Sequence, residues 1–255
     1  MAEEQARQVP ELPFMENLGR GGEEVTHKDH LIFGRSGAGK TYWISTAPQP
    51  IYLISIDPRG HMTFPYQTPG FVAQNVNQVL QALAALEAGA GKEISTVALD
   101  GWDWFYNMLT REMGWYLHNE EGTKDPDLMP IHGYKKVNNL LFNTIRRFVN
   151  LTQLHDKEAR VHFISTALDE RLKEDDEAEF LVRPNVGSDT VNNQIVKLFS
   201  IVTYIWPLGK DNKGNETDDR GVIADEVSYI QAKDRFGIFP KMGVAGKLEE
   251  LYNQN

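Results

Sequence analysis

Residues 34–41 read Gly34-Arg35-Ser36-Gly37-Ala38-Gly39-Lys40-Thr41, a P-loop in residue type and spacing. Leu31-Ile32-Phe33 runs into it as an apolar strand, and Lys40–Thr46 can open a helix. A chain built this way must deliver the loop from a strand and receive it on a helix, which points to an α/β fold. The glycines let the backbone curl so that successive N–H groups point inward at phosphate oxygens. The helix N-terminus adds its partial positive charge. This cradle suits ATP or ADP, with all eight residues as candidate contacts. Lys40 would reach the β- and γ-phosphates, and Thr41 would offer its hydroxyl to Mg²⁺. The competing reading is a glycine-rich turn without a ligand, and the full strand–loop–helix context argues against it.

From about residue 29 the chain alternates apolar runs with helical stretches, the signature of a mostly parallel sheet flanked by helices. Strands are expected at His30–Phe33, Ile51–Ile56, Ile94–Leu99, Arg160–Thr166, Ile201–Trp206 and Val227–Ala232. Several are nearly continuous apolar runs, as befits strands covered on both faces. Residues 77–90 carry Val79, Leu80, Leu83 and Leu86 on one stripe. Residues 136–154 form the clearest amphipathic helix, with Val137, Leu140, Leu141, Ile145, Phe148, Leu151 and Leu154 at three- and four-residue steps. Ser188 or Asp189 can cap a further helix carrying Val191, Ile195 and Leu198. The polar segment Gly209–Gly221 joins the last two expected strands, which predicts a C-terminal antiparallel hairpin at the sheet edge.

Residues 1–24 are polar and acidic and read as a flexible tail, leaving 25–255 as a single domain. No apolar run approaches the roughly 20 residues needed to cross a bilayer. The start Met1-Ala-Glu-Glu-Gln lacks the basic and apolar regions of a secretory signal. There are no cysteines, which excludes disulfides and thiolate metal sites and fits a cytoplasmic setting. The seven histidines show no metal-binding spacing, and His162 reads as a core residue within a strand.

Phosphoryl chemistry needs a carboxylate near the metal. Thr96-Val-Ala-Leu-Asp100 is an apolar strand ending in an acid, placed to act beside Thr41 on Mg²⁺ as a Walker B element. Asp57 ends the preceding strand at the same edge. It reads either as a group orienting the attacking water or as a turn-initiating Asp-Pro. Trp102, Trp104 and Trp115 read as packing groups. Near the C-terminus, Lys233 and Arg235 lie two residues apart, which on a strand puts both side chains on one face. They read either as a solvated strand end or as cationic fingers aimed at a neighbouring subunit's γ-phosphate.

In order along the chain, the P-loop, Asp57, Asp100, a strand ending at Thr166 and Lys233-Asp-Arg235 resemble the RecA-like ATPase family, most closely the compact phage ATPases of the Sak single-strand annealing group. The resemblance covers roughly residues 29–242. It implies ATP hydrolysis with catalytic roles for Lys40, Asp57, Asp100, Thr166, Lys233 and Arg235, and Mg²⁺ held by Thr41 and Asp100. Thr166 takes the place of the γ-phosphate sensor, while Lys233 and Arg235 act in trans. Members of this family usually carry a catalytic Glu two positions after the acid that ends the second strand. Arg59 stands there in this chain.

The resemblance further implies an oligomer, ring or filament, acting on single-stranded DNA in phage-type recombination or replication, which would place it in the host cytoplasm, with no membrane partner. Charge tempers the DNA expectation. The net charge is −10, and Asp169–Glu179, where a DNA loop is expected, holds seven acids and two bases. Lys135, Lys136, Arg146, Arg147 and Arg183 are the remaining basic candidates, with Tyr134 and Phe180 for base stacking. Two other functions fit the same sequence. One is a nucleotide-dependent switch or assembly factor with weak hydrolysis and no DNA binding. The other is a motor ATPase on duplex DNA.

Overall fold

The computed structural model describes residues 26–64, 68–123, 125–127, 129–173, 180–207, 220–225 and 230–253. The expected tail, residues 1–24, lies outside them. In chain order the elements are β1 (Asp29–Gly34), α1 (Lys40–Ile44), β2 (Ile51–Ser55), β3 (Gly70–Val72), α2 (Val76–Glu87), β4 (Thr96–Asp100), α3 (Trp102–Glu121), α4 (Ile131–Asn150), β5 (His162–Lys173), β6 (Phe180–Asn185), α5 (Asp189–Leu198), β7 (Ile201–Pro207), β8 (Arg220–Ile223), β9 (Lys233–Asp234), β10 (Met242–Ala245) and α6 (Leu248–Tyr252).

One sheet runs in the order β10-β8-β7-β1-β5-β4-β2-β3, with β6 pairing β5 and β9 pairing β7 off that path. The stretch from β7 to β3 is parallel throughout. β8 and β10 add an antiparallel edge beyond β7. The mostly parallel sheet flanked by helices, with a C-terminal antiparallel hairpin, is therefore the observed architecture.

Two apolar cores sandwich the sheet, because successive strand residues point to opposite faces. Leu31 and Phe33 of β1 join one core with Val79 and Leu83 of α2, Trp102 and Phe105 of α3, Leu141 and Ile145 of α4 and Ile195 of α5. Ile32, between them, joins the other with Trp43 and Ile44 of α1, Phe239, and Leu248 and Tyr252 of α6. All six residues of β1 are buried, as a central strand covered on both faces requires.

Several elements differ from expectation. The strand returning beside β7 is β8, residues 220–223, and not 227–232. Gly221 sits opposite Trp206, and a Cβ there would strike the indole, so a residue that reads as a strand breaker is what the pairing needs. Residues 226–229 lie outside the described part, and Ile230 makes a single bridge to Val182. The first residues of the acidic segment are not a loop, because Asp169–Lys173 continue β5 into an antiparallel ribbon with β6. Residues 174–179 lie outside the described part. The 20-residue helix α3 carries Trp102, Phe105, Tyr106, Leu109 and Leu117 on its buried side. Trp102 is a packing group, whereas Trp104 and Trp115 are about half exposed (46% and 52%) and are not.

Candidate nucleotide site

β1 ends at Gly34, where a Cβ would strike the carbonyl oxygen of Ile205 on β7, so only glycine lets the two strands pair to the end. The chain then turns through Gly37 and Gly39 at φ 77° and 80°, a left-handed conformation that costs side-chain-bearing residues about 1 kcal/mol or more. Helix α1 starts immediately after, with the Trp43 N–H donating to Gly39 O at 2.8 Å. Lys40 folds back over the loop and donates to the carbonyls of Gly34 (2.8 Å) and Arg35 (2.9 Å). Burial pushes its pKa down, while Asp100, Asp103, Asp169 and Asp57 nearby pull it back up.

β5 lies between β1 and β4, so the loop and Asp100 stand two strands apart, about 10 Å across the sheet. Side chains close that gap. The Thr41 hydroxyl donates to Asp100 Oδ2 at 3.0 Å, and the Thr166 hydroxyl donates to Asp100 Oδ1 at 2.6 Å. Thr166 in turn accepts the Gly101 N–H at 2.9 Å. Burial raises the pKa of Asp100, and the bonds from Thr166 and Thr41 oppose the shift.

Asp57 forms the turn after β2. Its Oδ1 accepts the Arg59 N–H at 2.9 Å, and its carbonyl accepts from Ser55 Oγ and the Gly60 N–H at 2.7 and 3.1 Å. Gly60 passes so close that a Cβ there would collide with Asp100 Oδ2.

These groups border one cavity of about 380 Å³. Lys40, Thr41, Asp57, Asp100 and Thr166 all line it, as do Ser36, Gly37 and Gly39. Gly34, Arg35 and Ala38 complete the loop without facing the cavity. A hydroxyl beside a carboxylate is the hard-oxygen donor set that Mg²⁺ takes when phosphates and waters fill its other positions. Among the described residues no group of three or more His, Asp or Glu forms a complete metal cage. Thr41 and Asp100 therefore fit Mg²⁺ held together with a polyphosphate.

Among the cavity-lining residues, the acid Asp103 has no reading from the sequence, and Trp104 reads there as a packing group. Asp103 lies in the first turn of α3, and burial pushes its pKa up to about 6. Trp104 lies beside it on the same wall. The available signal was position: Asp103 follows Asp100 at an interval that keeps it near the strand end once a helix begins at Trp102.

Lys233 and Arg235 are not part of this cavity. β9 pairs antiparallel with the start of β7, with Lys233 opposite Val202 and Asp234 opposite Ile201. Ile201 in turn neighbours His30, four residues and about 13 Å along β1 from Gly34. The pair thus sits at the far end of β1 from its own phosphate loop. Burial and the neighbouring Arg235 lower the Lys233 pKa to about 8, and Asp29 opposes the shift. The Asp234 carboxylate accepts the N–H groups of Phe236 (2.8 Å), Gly237 (3.0 Å) and Phe239 (2.8 Å), bracing the turn that carries Arg235. Arg235 is exposed and makes no ion pair among the described residues.

The basic DNA candidates are mostly engaged. Arg183 is buried at 2% exposure, where it bonds Glu170, Asp189 and Asn193, so it is a core cation and not a surface one. Arg147 makes a two-point contact with Glu87, and Lys136 pairs Glu121. The Phe180 side chain lies outside the described part. His162 is a buried strand residue that accepts the Lys28 N–H at 3.1 Å. No helix among the described residues is long and apolar enough to cross a membrane.

Comparison with known proteins adds three findings. Among solved structures, the RadB recombinase is similar, with a TM-score of 0.44 and 10% identity over 86% of this chain and 85% of that one. No curated protein matches. The sequence model of the family described as "AAA domain" matches residues 26–236, most of the chain, and the chain belongs to that family.

Proposed function

We propose that this protein binds ATP with Mg²⁺ and hydrolyses it as an oligomer whose sites are completed between copies. The observation that carries the reading is the bonded series Thr41–Asp100–Thr166 beside a left-handed, glycine-built loop. Lys40 neutralises phosphate charge, Thr41 and Asp100 hold the metal, and Thr166 holds Asp100 in place. Mg²⁺ supplies charge neutralisation at the transferring phosphoryl group. Lys233 and Arg235, too far from their own loop, serve the loop of an adjacent copy. In the full reading the assembly acts on single-stranded DNA in phage-type recombination or replication.

Phosphate release from ATP tests the enzymatic part. Release that requires Mg²⁺ and falls at least a hundredfold in Lys40→Ala is expected. Absence of release from the wild-type chain, with and without single-stranded DNA, overturns it.

One observation favours a second reading, a nucleotide-dependent switch without DNA. Arg183, Arg147 and Lys136, three of the basic candidates, are already paired with carboxylates. Binding to a single-stranded oligonucleotide, titrated with salt, separates the two. Salt-sensitive, ATP-dependent binding supports the DNA reading, and no binding at low salt supports the switch.

A further inference from the structure

We propose that Asp103 is the carboxylate that takes the proton from the attacking water, a role the sequence pattern offers to Asp57. The inference rests on the ATPase reading above and names the group that completes it.

Three carboxylates line the cavity: Asp57, Asp100 and Asp103. A base for water needs a free acceptor oxygen facing the substrate space. Asp100 is already committed, since Thr41 and Thr166 donate to its two oxygens and its remaining lone pairs serve the metal in the reading above. Asp57 uses Oδ1 to hold the Arg59 N–H, closing the turn that also brings Gly60 against Asp100. It is the turn-forming acid of an Asp-Pro-Arg-Gly segment. Asp57 keeps Oδ2 uncommitted, but its carboxylate is tied to the turn through Oδ1, whereas that of Asp103 is tied to no other residue. The Asp103 carboxylate bonds only its own backbone N–H, and no other described residue donates to it.

The mounting of Asp103 is rigid. Trp102 and Phe105 on either side are fully buried, and the Phe105 N–H closes the first helical turn onto Gly101 O at 3.0 Å. A fixed backbone carrying an uncommitted carboxylate on the cavity wall is the arrangement that proton abstraction requires. Burial, which raises its affinity for a proton, suits the task.

The step balances. The water oxygen forms a bond to the γ-phosphorus, and its proton passes to Asp103. The bond between the γ-phosphorus and the bridging oxygen breaks, and that oxygen keeps the electron pair as part of ADP. Asp103 then returns the proton to solvent, leaving ADP, phosphate and one proton from ATP and water.

The test compares Asp103→Asn, Asp103→Glu and Asp57→Asn in the full chain, reading phosphate release and the affinity for a fluorescent ATP analogue. General-base removal is expected to cost about 10²-fold or more in turnover. Asp103→Asn should lose that much while analogue affinity stays within about threefold, so that loss of turnover is separated from loss of folding. Asp103→Glu should recover part of the rate, and Asp57→Asn should cost under tenfold. Wild-type-like turnover in Asp103→Asn, or a larger loss in Asp57→Asn than in Asp103→Asn, overturns the assignment while leaving the ATPase reading intact. A wild-type chain that releases no phosphate overturns the ATPase reading itself.

Discussion

Thr166 and Asp100 project from adjacent parallel strands, and the hydroxyl of the first donates to Oδ1 of the second at 2.6 Å. The same hydroxyl oxygen accepts the Gly101 N–H, so one side chain satisfies two buried groups. Thr166→Val keeps the shape and removes both bonds. Leaving buried polar groups unpaired costs about 1–3 kcal/mol each. A stability loss of about 2 kcal/mol or more by chemical denaturation is expected, with weakened Mg²⁺-dependent binding of an ATP analogue. Thr166→Ser should restore most of both. A valine variant as stable as wild type would contradict the bond network.

Gly60 tests the close packing behind Asp100. An added Cβ would collide with Asp100 Oδ2 and sit 3.0 Å from Ser55 Oγ. Gly60→Ala should therefore push the carboxylate away from Thr41 and lower the benefit of Mg²⁺ to nucleotide binding about tenfold, with about 1–3 kcal/mol of destabilisation. Gly122→Ala is the comparison. Gly122 has φ 68° and open space around it, so only backbone strain of about 1 kcal/mol is expected and no change in Mg²⁺ response. Equal Mg²⁺ responses in the two variants would count against the collision.

His30 provides a test by pH. Its ring lies between Tyr252 Oη (2.7 Å) and Thr203 Oγ1 (2.8 Å), and burial lowers its pKa from 6.5 to about 3. Below 6.5 the unfolded chain takes a proton that the folded chain refuses. Stability is then lost as pH falls toward 3, by up to about 1.4 kcal/mol per pH unit. His162, also lowered to about 3, acts with the same sign. Asp103 acts against them, because its folded pKa of about 6 exceeds 3.8 and gains stability as pH falls between those values. Comparing slopes isolates His30. Between about pH 7 and pH 5, His30→Gln should lose about 2 kcal/mol less than wild type in urea denaturation. Parallel losses would show that the ring does not titrate this way.

The placement of Lys233 and Arg235 calls for a mixing experiment. On the trans arrangement proposed above, Lys40→Ala chains lack a working loop, and Arg235→Ala chains lack a working finger. Each alone should be nearly inactive, and mixing them should restore a substantial part of the phosphate release. No recovery on mixing, or an Arg235→Ala chain as active as wild type, would remove the finger role.

What could be read from the sequence was local. The loop, the strand ending at Asp100, the strand carrying Thr166 (which runs on to Lys173 and does not end at Thr166) and the stripe of α4 each lie within a few consecutive residues whose spacing carries the signal. What escaped depended on distant parts. Arg183 looks like a surface cation until Glu170 of β5 and Asp189 and Asn193 of α5 are brought around it. Strand β8 was hidden by Gly221, which signals a break until Trp206 is seen to cover it. Helix α3 begins at Gly101, φ 106°, without the Ser, Thr or Asp cap that usually announces a helix, and Asp103 was missed with it. Arg59, in the place where the resemblance calls for an acid, marked the gap without showing what fills it.

Lys233 and Arg235 stand at one end of β1 and the phosphate loop at the other. On the arrangement proposed above, a single copy carries both halves of a site that it cannot close on itself. Nucleotide affinity, set by groups that one copy carries, should then be the same for a dilute chain as for a crowded one. Specific activity should not be: phosphate released per chain rises with protein concentration until neighbours saturate, so local abundance of the protein would itself switch the reaction on.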